Sequence, residues 1–513
     1  MKLTQKFLGI FFISTFVNLL AQNTYYVHPT NGNDSNIGTK DLPFATLTKA
    51  AGIAVAGDTI YLRGGTYFLS STISLGSSTK SGTSSNYYNV FAYKGEKPVY
   101  DFSKQTSSDG IKVNGRYWHL KGIESSYAAH NGIAINGSYN IIENCSVHDN
   151  RNSGMQFGNG ASYNKIINCD SYYNFDPAKN GADADGFSPK LDTGTGNYFY
   201  GCRSWQNSDD GWDGYLRPSN DVTTTLENCW SFKNGFKKDG SDPGPQANGN
   251  GFKMGGSDDK TLMHNFILKN CLSFDNKVKG FDQNNNKGSM TIYNCTGFRN
   301  GTYNFSIPSS LNAGKTATVK NCISLLSQGI SLMPATIQET NTWLPPFTVS
   351  ADDFISIDTT GARGPRKSDG SLPDITFMHL KSSSALIDKG VNVGIPFTGS
   401  APDLGAFEHG MQMPADVKEN NILPTGFKLL QNYPNPFNPS TIIVYQLPVG
   451  SFVTLKIYDV LGKEIATLTN EYQPAGIHRS AFSVPHSTLS SGIYFYQLRA
   501  GQFVDTKKLM LMK

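Results

Sequence analysis

Four short segments of the chain share a Gly-aromatic step: Asp185-Gly186-Phe187-Ser188, Asp210-Gly211-Trp212-Asp213, Asn250-Gly251-Phe252-Lys253 and Lys279-Gly280-Phe281-Asp282. Aligned on that step, the column before glycine reads Asp185, Asp210, Asn250, and the column after the aromatic reads Ser188, Asp213, Lys253. Successive side chains of a strand face opposite sides, so an aromatic that points into a core sends the next residue outward. Asp213 and Lys253 are therefore expected on one exposed outer face about one coil apart, beside Asp185, Asp209 and Asp210. Carboxylates gathered this way raise one another's pKa unless a cation joins them. Oxygen donors without neighbouring His or Cys select calcium over zinc or copper. A lone Asp in a β protein reads as a turn residue, whereas Asp209-Asp210-x-x-Asp213 with Asp185 one coil earlier reads as a cation site. Lys190, three residues past Phe187, shares the outward side with Ser188 and is a candidate partner for a substrate carboxylate. Arg217 is a weaker candidate for that role, and for each the solvated surface charge is the reading the sequence favours. His119, His130, His148 and His264 lack metal-ligand spacing and receive no role. No Gly-rich phosphate loop opening a helix and no Ser-His-Asp pattern stands out.

These residues need a scaffold that repeats, and the cysteines reveal it. All seven occupy one position of one repeat: NCSVHDN at Cys145, NCDSYYN at Cys169, GCRSWQN at Cys202, NCWSFKN at Cys229, NCLSFDN at Cys271, NCTGFRN at Cys295 and NCISLLS at Cys322. Their spacings of 24, 33, 27, 42, 24 and 27 describe a period near 24 with insertions. Five residues after six of them stands Asn150, Asn174, Asn207, Asn234, Asn276 or Asn300. Such self-similarity is the mark of a solenoid. Its pieces are short and β-rich, as in Asn164-Lys165-Ile166-Ile167, with no helical period long enough to propagate. A coil of about 24 residues then holds three strands and three turns, which predicts an all-β, right-handed single-stranded parallel β-helix with residues stacked in columns at ~4.8 Å. The cysteines become a column of small buried side chains and the asparagines a ladder bonded from coil to coil. An odd count with no further ligands nearby argues against disulfide or metal roles.

The composition agrees. With 513 residues, 44 Lys plus Arg against 40 Asp plus Glu, and only 16% charged residues, no global field points to nucleic acid or a membrane surface. Gly 52 and aromatics at 12% suit a turn-rich β protein. Residues 1–21, with Lys2 and Lys6 before an apolar run from Phe7 to Leu20 closing on Ala21, read as a secretory signal peptide. The run is shorter than the ~20 residues of a bilayer span, so the mature protein is expected to carry no membrane span. A helix is expected from Leu42-Pro43-Phe44 to Ala56, with Pro43 in its first turn, capping the open end of the first coil. Between about 343 and 410 the repeat fades into a Pro- and Gly-rich closing segment ending in Pro402-Asp403-Leu404-Gly405-Ala406-Phe407-Glu408.

From about residue 421 the character changes to alternating strands, which predicts a separate small β-sandwich. The segments YPNPFNPST, IYDVLGKEI and SSGIYFYQL, with Lys507-Lys508 before the end, resemble the C-terminal sorting domain of type IX secretion cargo; a carbohydrate-binding sandwich is the alternative. Further upstream, ADADGFSPKL, NSDDGWDGYL and NGNGFKMGG resemble polysaccharide lyase family 9, the β-helical pectate lyases, over roughly residues 22–410. That resemblance implies calcium ligands at Asp185, Asp209, Asp210 and Asp213, and a catalytic base at Lys253. It also implies β-elimination on an acidic plant cell-wall polysaccharide such as pectate or polygalacturonate. The insertion Lys238-Asp239-Gly240-Ser241-Asp242-Pro243-Gly244-Pro245, between the last ligand and the base, is expected to reshape the groove. The expected organisation is a signal peptide (1–21), a β-helix lyase domain (22–410), a linker (411–425) and a sorting domain (426–513), in a monomer exported by the type IX machinery and released or held at the cell surface. A polygalacturonase-type hydrolase, with clustered Asp as general acid and base, and a non-catalytic polysaccharide-binding surface protein are the competing readings.

Overall fold

The computed structural model describes residues 22–410 and, in the C-terminal unit, 426–432, 435–437, 440–473, 476–484 and 489–512. The expected signal peptide and the linker 411–425 lie outside the described residues. Three parallel sheets run the length of the first unit. A 12-stranded sheet goes from Thr24–Val27 to Ile337–Glu339, and a 10-stranded sheet, called here the site sheet, from Ile73–Leu75 to Ile330–Leu332. A third sheet, also 10-stranded, goes from Gly65–Phe68 to Ile323–Leu325. Each coil adds one strand to each sheet in parallel register, giving a right-handed parallel β-helix. The separate C-terminal unit pairs a 3-stranded with a 4-stranded antiparallel sheet around Ile443, Tyr445, Leu455, Ile457, Tyr496 and Leu498, all buried. Among the described residues no helix is long and apolar enough to cross a membrane.

The repeat motif has a backbone cause. The residue before each cysteine turns the corner between the 12-stranded and third sheets with a left-handed φ: Asn144 +51°, Asn168 +52°, Asn228 +52°, Asn270 +52°, Asn294 +50° and Asn321 +59°. Asparagine tolerates this conformation better than other residues with a Cβ. The one coil that departs uses Gly201, at +62°. All seven cysteines are free and buried. At the next corner the asparagine ladder forms as expected, Asn150 Nδ2 donating to Asn174 Oδ1 at 2.9 Å, and then Asn174 to Asn207, Asn207 to Asn234, Asn234 to Asn276 and Asn276 to Asn300 at 2.7–3.0 Å.

The Gly-aromatic step follows this corner. Phe187, Trp212, Phe252, Phe281 and Phe305 are fully buried and stack at centroid distances of 4.7–5.1 Å. The glycine before Phe187, Trp212 and Phe252 lets the strand pass close to an inward serine: a Cβ on Gly211 would lie 2.0 Å from Ser231 Oγ and 2.5 Å from the Gly251 carbonyl. Backbone cannot yield as a flexible side chain can, so Gly211→Ala is expected to cost about 3 kcal/mol or more. Thermal unfolding of that variant in buffer with and without calcium reads the loss.

One expectation changes in detail. The N-terminal helix is Leu47–Ile53, shorter than the expected Leu42 to Ala56, because the Asp34 carboxylate accepts from the Ala45 and Thr46 amides and the Thr46 hydroxyl. That holds the chain extended, with Phe44 bridged to Val27, and Thr46 becomes the N-cap. The helix nevertheless packs on the first strands of the 12-stranded and site sheets, as a cap must. The closing segment folds back over the third sheet, whose outward Trp230, Phe232, Leu272 and Phe274 are buried with Phe354, Phe377, Leu380 and Leu404. Arg203 and Arg366 join it there, both paired with Asp170, and Arg203 donates to the Ala362 and Gly364 carbonyls.

Candidate active site

Asp213 and Lys253 are direct register partners on adjacent strands of the site sheet, Trp212–Asp213 and Phe252–Lys253, and both side chains point away from the core. The column before glycine serves two purposes. Asp185 Oδ1 accepts the Asp210 amide at 3.1 Å, Asp210 Oδ1 accepts the Asn250 amide at 2.8 Å, and Asn250 Oδ1 accepts the Lys279 amide at 3.3 Å. One oxygen of each aspartate thus ties two coils together. The other is free to face the site: Asp185 Oδ2 meets Lys190 Nζ at 2.6 Å and Ser188 Oγ at 2.9 Å, and Asp210 Oδ2 lies 3.0 Å from Lys253 Nζ.

The carboxylates are not on an exposed face. Asp185 and Asp210 are 0% exposed, Asp209 3% and Asp213 4%, because two loops close over them. The Asp183 amide from one loop donates to Asp209 Oδ2 at 2.9 Å, and the Asn248 amide from the other donates to Asp209 Oδ1 at 2.6 Å. Loop closure of this kind depends on contacts between inserted turns, which the repeat pattern does not encode.

Burial, reinforced by Asp210, pushes Asp209 up to about 7. Burial, with Asp185 and Asp213 adding to it against Lys253, pushes Asp210 up to about 7, and burial together with Asp213 and Asp209, opposed by Lys190, pushes Asp185 up to about 6. Asp213 goes the other way: burial works against its charge, but Lys253 and Lys190 outweigh it and hold the carboxyl below its ordinary value. Burial likewise disfavours the Lys253 ammonium, yet Asp210, Asp213, Asp209 and Asp185 overcome it and hold its pKa well above normal. Four buried carboxylates face two buried ammoniums, Lys190 and Lys253, so with all four ionised the cluster carries a formal excess of two negative charges.

Among the described residues, Asp185, Asp209 and Asp210 are the group whose carboxylate oxygens lie within 4.8 Å of one another, a spacing that fits one metal ion. Asp213 adjoins them but is engaged by both lysines, Lys253 Nζ at 3.3 Å from Oδ1 and Lys190 Nζ at 3.3 Å from Oδ2. Lys190 is buried and turned onto Asp185 and Asp213. Arg217 lines the outer part of the same cavity, 61% exposed, in a pair with Asp258. The cavity, about 340 Å³, reaches from Lys253 and Tyr215 to Gln156, Asn152 and His130. Sequence reasoning passed over Gln156, although the column alignment holds its signal: it is in register with Ser188. It also missed Tyr215, whose ring lies 5.8 Å from the Lys253 ammonium, and Asp183 and Asn248, which sit on the closing loops.

Comparison with known proteins decides what kind of site this is. Residues 25–321 match the family described as "Pel9A-like, right handed beta helix region". The chain belongs to this family. Residues 431–512 match the secretion system C-terminal sorting domain, which marks the Pel9A-like protein as exported. It is 41% identical over 393 residues to pectate lyase L of Dickeya chrysanthemi, covering 75% of this chain and 90% of that one. Pectate lyase L of Paenibacillus polymyxa is 38% identical over 401 residues, covering 73% and 85%. Among solved structures, pectate lyase Pel9A aligns with a TM-score of 0.70 at 38% identity, covering 76% of this chain and 97% of its own. A rhamnogalacturonan lyase aligns at 0.61 and 29% identity, covering 70% and 97%. The Pel9A-like protein is a polysaccharide lyase, so the hydrolase and the non-catalytic readings are set aside.

Proposed function

We propose that the enzyme is a calcium-dependent lyase of pectate or polygalacturonate that works by β-elimination, with Lys253 as the base. The observation that carries this reading is the placement of Lys253 Nζ at 3.0 Å from Asp210 and 3.3 Å from Asp213, at the wall of a cavity that Asp209 and Asp213 also line. Relatives named pectate lyase, at up to 41% identity over most of the chain, supply the polymer class. The cluster fits calcium on its chemistry: buried carboxylate oxygens, no His or Cys among them, and, with all four carboxyls ionised against Lys190 and Lys253, a formal excess of negative charge. Asp185, Asp209 and Asp210, with Asp213 beside them, would hold the ion, which when bound supplies positive charge that makes the proton beside a uronate carboxylate more acidic.

The chain's own groups do the rest. Lys253 Nζ takes the C5 proton of the sugar; the electron pair forms the C4–C5 double bond and expels the C4 glycosidic oxygen, which takes a proton from solvent. Lys190 and Arg217, both lining the cavity, are assigned as partners of substrate carboxylates. A base must be neutral to act, and the surrounding aspartates hold Lys253 charged. Activity is therefore expected to rise toward alkaline pH, where the fraction of neutral lysine grows. The deciding test is ultraviolet absorbance of polygalacturonate incubated with the enzyme and calcium. A steady rise from unsaturated uronate is the expected result; new reducing ends without absorbance would overturn elimination.

A further inference from the structure

The insertion after Lys237 packs against the loop that follows Phe175: Gly181 faces Pro243, and Gly244 meets the backbone of Asn180. These two loops form one wall of the catalytic cavity, through Lys179, Asp183 and Asn248. They also line a second cavity of about 490 Å³, bounded by Tyr127, Arg151, Tyr173, Phe175, Lys237 and Lys238. That volume is in the ~300–1,000 Å³ range of ligand sites.

Its charges are unevenly satisfied. Asp149 is taken by Lys238 at 2.9 Å and by His148 at 2.7 Å, and Asp239 folds back onto the Ser241 amide and hydroxyl at 2.9 and 2.6 Å. Among the described residues, Arg151 and Lys237 have no carboxylate within 4.0 Å. The Lys237 ammonium stands 5.7 Å over the Phe175 ring and Lys238 4.9 Å over Tyr173. A ring face holds a cation in place without neutralising it, so Lys237 is positioned while its charge stays available to an anion. Tyr127 leaves 45% of its surface open at the same cavity. Unpaired cations beside an open aromatic face suit a ligand that is both anionic and ring-shaped.

We propose that this cavity is a second, non-catalytic site for a segment of acidic oligosaccharide, its carboxylates meeting Arg151 and Lys237 and a sugar face lying on Tyr127. The choice of uronate polymer rests on the function proposed above. A second site on the same molecule turns a later encounter with a long chain into an intramolecular one, so it strengthens binding of polymer and leaves short oligomers unaffected.

Affinity electrophoresis of the full chain through gels containing polygalacturonate and chelator tests this directly. The unsubstituted protein is expected to be retarded, and Arg151→Ala/Lys237→Ala to bind about tenfold more weakly, with an unchanged melting temperature. Tyr127→Ala is expected to weaken retardation as well. The double variant should still turn over a trisaccharide at the unsubstituted rate. The proposal is overturned if the unsubstituted protein runs freely, if both variants are retarded as strongly as it is, or if a neutral polymer retards it equally. Absence of unsaturated product from the unsubstituted protein in a parallel assay with calcium would instead count against the lyase reading, since retardation is read in chelator without turnover.

Discussion

Lys253→Ala is expected to lower kcat on polygalacturonate by about 10³-fold or more, the upper part of the ~10²–10⁴ range for loss of a positioned general base, while calcium binding is retained or tightened. The two effects separate because Lys253 is both proton acceptor and counter-ion. Its ammonium lies 3.0 Å from Asp210 and 3.3 Å from Asp213. Removing it takes a positive charge from the cluster, leaves Asp210 without an ammonium and raises the formal excess of negative charge by one. A cation then gains attraction at the same oxygens. In calcium-free buffer the same variant should melt at a lower temperature, because a buried charge that loses its partner costs about 3–5 kcal/mol. Ultraviolet turnover assays and calcium titration calorimetry on one preparation check both halves. Retained turnover would remove Lys253 from the chemistry, and loss of calcium binding would show that it organises the site rather than reacts.

Calcium removal should make the fold pH-sensitive in an unusual direction. The carboxyls of Asp185, Asp209 and Asp210 are pushed up to about 6, 7 and 7 from an ordinary value near 3.8. A carboxyl whose folded pKa is raised contributes stability that is fully present below about pH 4 and is lost as the pH climbs through the raised value. For Asp209 or Asp210 alone the loss between pH 4 and 8 is on the order of 4 kcal/mol. The three share one repulsion, so their losses do not sum. Lys253 and Lys190 stay charged throughout this window and do not reverse the sign. With chelator, the melting temperature of the β-helix is therefore expected to fall from pH 5 to pH 8. Calcium at 1,000 times its Kd should restore about 4 kcal/mol. A calcium-free melting temperature that stays flat across this range would show that the cluster is not frustrated.

Much of this was legible because a β-helix turns sequence spacing into spatial columns. The Cys and Asn columns named the solenoid, and their causes are local: a left-handed corner before each cysteine that only Asn or Gly fills here, and an amide that bonds to its equivalent one coil on. The same periodicity put Asp213 opposite Lys253, a pairing the register reproduces. Columns say nothing about insertions. The helix start at Leu42 failed because Asp34, 11 residues from Ala45 in the chain, holds the segment extended. The exposed face expected for the carboxylates failed because the turns around Asp183 and Asn248 close over them.

What the sequence determined by itself was the repeating unit, hence the fold, the stacking of Asp185, Asp210 and Asn250, and the pairing of Asp213 with Lys253. Each follows from interactions between equivalent positions of neighbouring coils, and so survives any change in loop length. Only the tertiary structure decided that the cluster is buried, that Lys190 turns inward onto Asp185 while Arg217 stays at the rim, and that two inserted loops wall off a second cavity. Those outcomes depend on contacts between segments of no fixed period, where desolvation by a covering loop, rather than strand register, sets the charge and reach of each side chain.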